Sequence, residues 1–180
     1  MFSKLFGRRW DDQAHDLYET LVAQARRVEF YSAGGVADTI DGRFDLVVLH
    51  AFLLLRRLGR KDEDNSGPAG QLGQAVFDLM FADFDHCLRE MGVSDMGMSP
   101  KIKKMAKAFY GRIGAYDGSL EDEAALAAAL ERNLYRGQPP AVPVLSAMAA
   151  YVRAQARDLD DQSLDDLMKG RVRFIAPQLP

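Results

Sequence analysis

The fold is decided by one stretch of the chain, Asp41-Gly-Arg-Phe-Asp-Leu-Val-Val-Leu-His-Ala-Phe-Leu-Leu-Leu-Arg-Arg-Leu58. When this stretch is turned at about 100° per residue, apolar side chains lie on nearly every side, which is typical of a buried helix. Its most apolar run, Leu46 to Leu55, is interrupted by His50. That run has about half of the roughly 20 residues that a membrane-spanning helix needs. The stretch therefore predicts the central helix of a soluble domain.

Helical periodicity continues on both sides of this stretch, and no window shows the alternating pattern of a strand. The other windows are about Asp11 to Phe30, with Val28 on its apolar side, Gln71 to Met91, a helix beginning at Ser99-Pro100, one with a capping-box-like start at Ser119-Leu-Glu-Asp122 and Ser119 as its cap, Val142 to Leu159, and a short helix from Ser163. The predicted fold class is all-α, a single compact domain of about six or seven helices. We assign this domain to residues 11–170, after a basic-aromatic N-terminal arm at residues 1–10 and before a C-terminal tail at residues 171–180.

The composition is that of an ordinary soluble protein. The chain has 180 residues, of which 48% are apolar and 27% charged, and its formal net charge is -3. This charge provides no general attraction to nucleic acid or anionic lipid, so a basic binding surface must be local. The one cysteine, Cys87, excludes an intrachain disulfide and a thiolate zinc site. The basic N-terminus has no apolar core or cleavage site of a secretory signal, which indicates a cytoplasmic protein.

Residues that could hold a metal or haem do not form a recognisable motif. His15, His50 and His86 fall in three different predicted helices. His50 is either a hydrogen-bonded core histidine or a haem ligand. His86, with Asp83 and Glu90 near it on the helix, is either an exposed histidine in local ion pairs or one edge of a metal site. We expect neither a metal nor a cofactor.

Motifs for catalysis are also missing. The chain contains no nucleophile elbow, no phosphate-binding loop and no dinucleotide fingerprint. Cys87 lies on the apolar arc of its helix, where thiols are usually inert packing groups. The sequence gives no positive reason to propose an enzyme.

The window from Ser99 to Tyr116 carries a basic face in an otherwise acidic protein. Apolar residues fall on one side of this helix, and the other side carries Lys101, Lys103, Lys104, Lys107, Tyr110, Gly111, Arg112 and Gly114. A glycine inside a helix costs about 1 kcal/mol relative to alanine, so two on one face indicate a backbone that something approaches closely. The face is either a solvated lysine surface or a binding surface. Candidate partners are an acidic or amphipathic protein segment, anionic lipid headgroups, or RNA.

A second basic-aromatic element stands at the N-terminus. It consists of Phe2, Lys4, Leu5, Phe6, Arg8, Arg9 and Trp10. Short segments of this kind can lie in the membrane interface, with weak and reversible attachment. The alternative is an arm with no binding role.

Two specific strings occur in the third and fourth helical windows, Leu88-Arg-Glu-Met-Gly-Val93 with Asp95, and Lys103-Lys-Met105 leading into Phe109-Tyr-Gly-Arg112. These strings resemble the ubiquinol–cytochrome c chaperone family. The similarity extends more diffusely from the first helix to about the sixth, and the basic start resembles that of bacterial members. The matching residues expected to matter are Arg89, Glu90, Gly92, Asp95, Lys103, Lys104, Tyr110, Gly111 and Arg112.

The resemblance implies an all-α assembly factor for the cytochrome bc1 complex that binds newly made apo-cytochrome b. It supplies no catalytic residues. Mitochondrial relatives act with a small helper protein and near the ribosome, and we expect no other contact with nucleic acid. The expected location is cytoplasmic, either free or peripheral at the inner face of the cytoplasmic membrane. The alternatives are a peripheral membrane adaptor and a helical haem- or metal-handling protein.

Overall fold

A computed structural model describes residues 3–59 and 66–180, and within them the side chains from Trp10 onward apart from Asp95. These residues form six long helices, two short ones and no strand, which confirms the all-α prediction. The helices are α1 (Ser3–Ala25), α2 (Glu29–Ser32), α3 (Ile40–Gly59), α4 (Pro68–Glu90), α5 (Asp95–Asp117), α6 (Glu123–Asn133), α7 (Val142–Asp161) and α8 (Leu164–Met168).

Helix α3 lies at the centre of the domain, as its apolar sequence predicts. It contacts α1, α4, α5 and α7. Its buried side chains include Leu46, Val48, Leu49, Phe52, Leu53 and Leu54. Burial of each such side chain contributes about 1.5–3 kcal/mol to folding, so this helix organises the core.

The first helix differs from the sequence prediction at both ends. Helix α1 begins at Ser3, so the boundary drawn after residue 10 falls inside a helix. It ends at Ala25, and the separate turn α2 follows. Val28, assigned by periodicity to the apolar side of the first helix, is instead 69% exposed because it lies in the break between them.

Helices α5 and α6 also begin elsewhere than predicted. Helix α5 starts at Asp95 rather than at Ser99, with Pro100 inside its first turns. Pro100 has no N–H to bond the carbonyl of residue 96, a loss tolerable near a helix start. The cap of α6 is Asp122, whose carboxylate accepts the Ala125 N–H at 2.9 Å.

The C-terminal tail packs against α1, α3 and α7. The Ile175 N–H donates to Gln155 Oε1 at 2.7 Å, and the Ile175 carbonyl accepts from Gln24 Nε2 at 2.7 Å. The Phe174 ring lies edge-on to the His50 ring, 5.7 Å between centroids. Residues 171–180 therefore help to close the core.

Candidate functional site

Helices α4 and α5 form the hairpin that presents the predicted binding residues. They are joined by residues 91–94, and their facing aromatic rings include Phe77 and Phe109, with centroids 5.2 Å apart. Val76, Met80, Phe84 and Leu88 of α4 are buried at helical spacing. The predicted apolar side of α4 is therefore confirmed for these four residues.

The opposite side of α5 is exposed. We define the α5 basic face as Lys101, Lys103, Lys104, Lys107, Tyr110, Gly111 and Gly114, all of which are exposed. Phe109 and Tyr116 are buried on the inner side of the helix. The sequence therefore predicted this face correctly except for one residue.

That residue is Arg112, and the prediction that it lies outward with the lysines is wrong. Its side chain is only 13% exposed, and Nη2 lies 2.9 Å from Oδ1 of Asp45, whose side chain is fully buried. Its guanidinium carbon lies 5.7 Å from the centre of the Phe44 ring. Arg112 borders the apolar side of α5. From this position its long side chain can turn inward and reach the buried carboxylate of Asp45.

The four lysines of the α5 basic face have no ionic partner among the described side chains, although ion pairs occur elsewhere on the surface. Residues 96–116 contain five basic residues and no Asp or Glu. The positive potential of this face is therefore not neutralised by neighbours on its own helix.

The two glycines of the face are not required by the packing of the domain. A Cβ atom built on Gly111 or Gly114 would meet no other atom within 4 Å. Neither glycine has a positive φ angle. A glycine inside a helix costs about 1 kcal/mol of stability relative to alanine. At Gly111 and Gly114 neither close packing nor backbone conformation offsets this cost.

The predicted residues on α4 lie at its C-terminal end. Arg89 is exposed, and its Nε donates to Asp85 Oδ2 at 2.7 Å. Glu90 is exposed and lies 3.3 Å from His86 Nε2. Asp95 begins α5, but its side chain lies outside the described part.

Sequence reasoning missed an apolar groove between α1, α3 and α4. The groove has a volume of about 360 Å³. Its lining includes Tyr18, Val22, Phe44, Phe84 and Leu88 of these helices and Met105 of α5. Ile40 and Met91 also line it while remaining 65% and 46% exposed. The sequence carries no signal for this groove, because its lining residues come from separate helices.

Histidine 50 is a core residue with both ring nitrogens occupied. Nδ1 lies 2.8 Å from the Leu46 carbonyl, so it carries the proton, and Nε2 accepts from the Tyr151 hydroxyl at 2.8 Å. Gln24 Nε2 in turn donates to the Tyr151 oxygen at 2.9 Å. Burial lowers the pKa of His50 to about 4. No ring nitrogen of His50 is available to ligate haem in this fold.

Among the described residues, no group of three or more His, Cys, Asp or Glu side chains could hold a metal ion. His86 Nε2 lies 3.3 Å from Oε1 of Glu90, one turn along the same helix. Cys87 is half-buried beside the groove, and burial raises its pKa.

The residues predicted to contact a membrane fall at the start of α1. The side chain of Trp10 is half-buried against the core. Lys4, Phe6, Arg8 and Arg9 lie in the helix, but their side chains are outside the described part, as is the whole of Phe2. No described helix has the length and apolarity needed to cross a bilayer.

Comparison with known proteins identifies relatives over most of the chain. A family model described as ubiquinol-cytochrome C chaperone matches residues 32–174. Ubiquinol-cytochrome-c reductase complex assembly factor 1 of Xenopus laevis is 29% identical over 153 residues, which cover 84% of this chain and 74% of that protein. The mouse protein is 29% identical over 160 residues, 88% of this chain but 53% of its own length.

A solved structure matches the whole fold. The crystal structure of the Cbp3 homolog from Brucella abortus has a TM-score of 0.83 and 35% sequence identity, and the match covers 100% of both chains. The arrangement of helices is therefore shared along the full length of the two chains.

Proposed function

Since the chain belongs to the ubiquinol-cytochrome c chaperone family, we propose that it assists assembly of the cytochrome bc1 complex by binding newly made apo-cytochrome b. The similarity to assembly factors of the ubiquinol-cytochrome c reductase complex supports this role. The chain spans about half the length of the mouse relative, so the proposal concerns what this domain does.

We assign client binding to the α5 basic face, together with Arg89, Glu90 and Asp95 at the neighbouring turn. The observation that carries this assignment is the combination of four lysines that have no ionic partner among the described side chains and two glycines that the packing does not require. A partner that approaches the helix backbone closely and offers acceptors to the lysines accounts for both features. Arg112 is excluded from the contact surface because it is held by Asp45.

The function is tested by copurification. The tagged protein is isolated from detergent-solubilised respiring cells during bc1 assembly and probed for cytochrome b. The test variant is Lys103→Glu/Lys104→Glu. Its matched control is Arg132→Glu/Arg157→Glu, which makes the same change in charge at two exposed arginines of α6 and α7.

The expected result is enrichment of cytochrome b with the wild type and the control, and its loss with the lysine variant. Enrichment with all three would retain the client and contradict the proposed surface. Absence of cytochrome b from the wild-type preparation would contradict the client itself.

A further inference from the structure

The α5 basic face has the charge and shape of a surface that rests on a bilayer, and we propose that it docks directly on anionic lipid headgroups. The inference rests on the proposed function, because it concerns how the same face acts near a membrane-protein client. Anionic headgroups would be the partner that the lysines contact first.

The α5 basic face is strongly positive. Residues 96–116 carry five basic residues and no acidic one, in a chain whose net charge is -3. With Arg112 paired to Asp45, four exposed lysines remain without a described ionic partner. Headgroups with negative charge supply the missing counter-charges along an extended surface.

Anionic lipid also lies next to a membrane-protein client. The cytoplasmic leaflet around such a client carries negatively charged headgroups, which attract Lys side chains close to the surface. The lysines of the face can therefore contact headgroups beside the segment of the client that the face binds.

Side chains suited to a headgroup layer lie along one line of α5. Met96, Lys103, Lys107, Tyr110 and Gly114 recur at spacings of three, four and seven residues, so they lie along one line of the helix. Met96 is 93% exposed and Tyr110 is 63% exposed. Tyrosine is enriched at the headgroup level of membranes, where its ring contacts lipid and its hydroxyl contacts water.

The helix is also held rigidly for such a contact. Phe109 and Tyr116 anchor its inner side in the core, and the Tyr110 ring lies 5.8 Å from the Phe77 ring. Gly111 and Gly114 add no side chain beyond the backbone, which leaves this end of the face flat. The face therefore suits adsorption to a surface rather than insertion into the bilayer.

The experiment is vesicle flotation with the purified full chain. The probes are vesicles of phosphatidylcholine alone and vesicles of phosphatidylcholine with phosphatidylglycerol, at low and high salt. The expected result is binding to the anionic vesicles alone, weakened by salt. Since each basic residue near such a surface contributes about fivefold in binding, Lys103→Glu/Lys104→Glu should lose at least about 25-fold. The Arg132→Glu/Arg157→Glu control should bind as the wild type does.

Several results would overturn the proposal. They are equal binding to neutral vesicles, anionic binding that survives the lysine reversal, and a Lys4→Glu/Arg8→Glu/Arg9→Glu variant that alone loses binding. Binding of oligouridylate or polyglutamate by the same lysines, without vesicle binding, would assign the face to RNA or to an acidic protein segment.

Copurification in detergent separates this proposal from the proposed function. If the lysine variant loses vesicle binding but keeps cytochrome b in detergent, the lipid contact is supported and the direct client contact at this face is not. If it loses cytochrome b while the wild type does not bind vesicles, the face contacts the client and the lipid proposal fails.

Discussion

The guanidinium of Arg112 on α5 lies against the buried carboxylate of Asp45 on α3, with 2.9 Å between Nη2 and Oδ1. Arg136, which follows α6, donates from Nε to Asp45 Oδ2 at 2.6 Å. Burial raises the pKa of Asp45, and the two guanidinium groups oppose that shift. One carboxylate thus connects three parts of the chain behind the α5 basic face.

Removal of this carboxylate should destabilise the fold. Asp45→Ala leaves the largely buried guanidinium of Arg112 without its partner, so we expect the free energy of unfolding to fall by about 3–5 kcal/mol. Urea denaturation of purified protein measures the change. The control is Asp41→Ala, which removes a 70% exposed carboxylate that also pairs with Arg136. It should cost about 0–1 kcal/mol. Equal losses in the two variants would contradict the structural role of Asp45.

Charge reversal on α5 should separate the structural arginine from the exposed lysines. Arg112→Glu places a second carboxylate beside Asp45, and we expect it to destabilise the protein by more than about 3 kcal/mol. Lys104→Glu changes an exposed side chain that pairs with no described carboxylate, and it should alter stability by less than about 0.5 kcal/mol. Thermal unfolding of both variants measures the difference. A stable Arg112→Glu protein would mean that the Asp45 contact is dispensable.

The stability of the protein should fall between about pH 6.5 and pH 4 because of His50. Burial lowers the pKa of His50 to about 4 from the ordinary value of 6.5. In that range the unfolded chain binds a proton that the folded chain does not, so the free energy of unfolding decreases as pH decreases. The loss attributable to His50 is about 3 kcal/mol by pH 4.

Unfolding curves across this pH range test the effect. His50→Gln should lower stability at neutral pH and should flatten its dependence on pH. His15→Gln changes an exposed histidine of α1 and provides the control, which should keep the wild-type pH dependence. An unchanged slope in the His50 variant would assign the acid sensitivity to other groups.

Alanine at the two exposed glycines of α5 should stabilise the domain and weaken its binding. Gly111→Ala and Gly114→Ala each add a Cβ that meets nothing, so each should raise the free energy of unfolding by about 0.5–1 kcal/mol. If a partner approaches the backbone here, recovery of cytochrome b by copurification should decrease. Gly42→Ala provides a contrast, because its Cβ would lie 2.0 Å from the Ala37 carbonyl oxygen and should destabilise the fold. Stabilised variants with full recovery would show that the glycines have no binding role.

Much of this architecture follows from local spacing in the sequence. Val76, Met80, Phe84 and Leu88 recur every four residues, and all are buried on α4. The lysines of α5 are exposed for the same reason, because charged side chains on the polar side of a helix remain in water. Local spacing was less informative at helix ends, where Asp122 rather than Ser119 proved to be the cap of α6.

The sequence by itself determined the helical class, the central position of α3, the outward lysines and the family resemblance, because each depends on periodicity or on contiguous strings of residues. Only the tertiary structure decided that Arg112 turns inward, that both nitrogens of His50 are occupied, and that an apolar groove lies between α1, α3 and α4. These features join residues far apart in the chain. Their geometry depends on how the helices pack, and no local pattern encodes which distant side chains will meet.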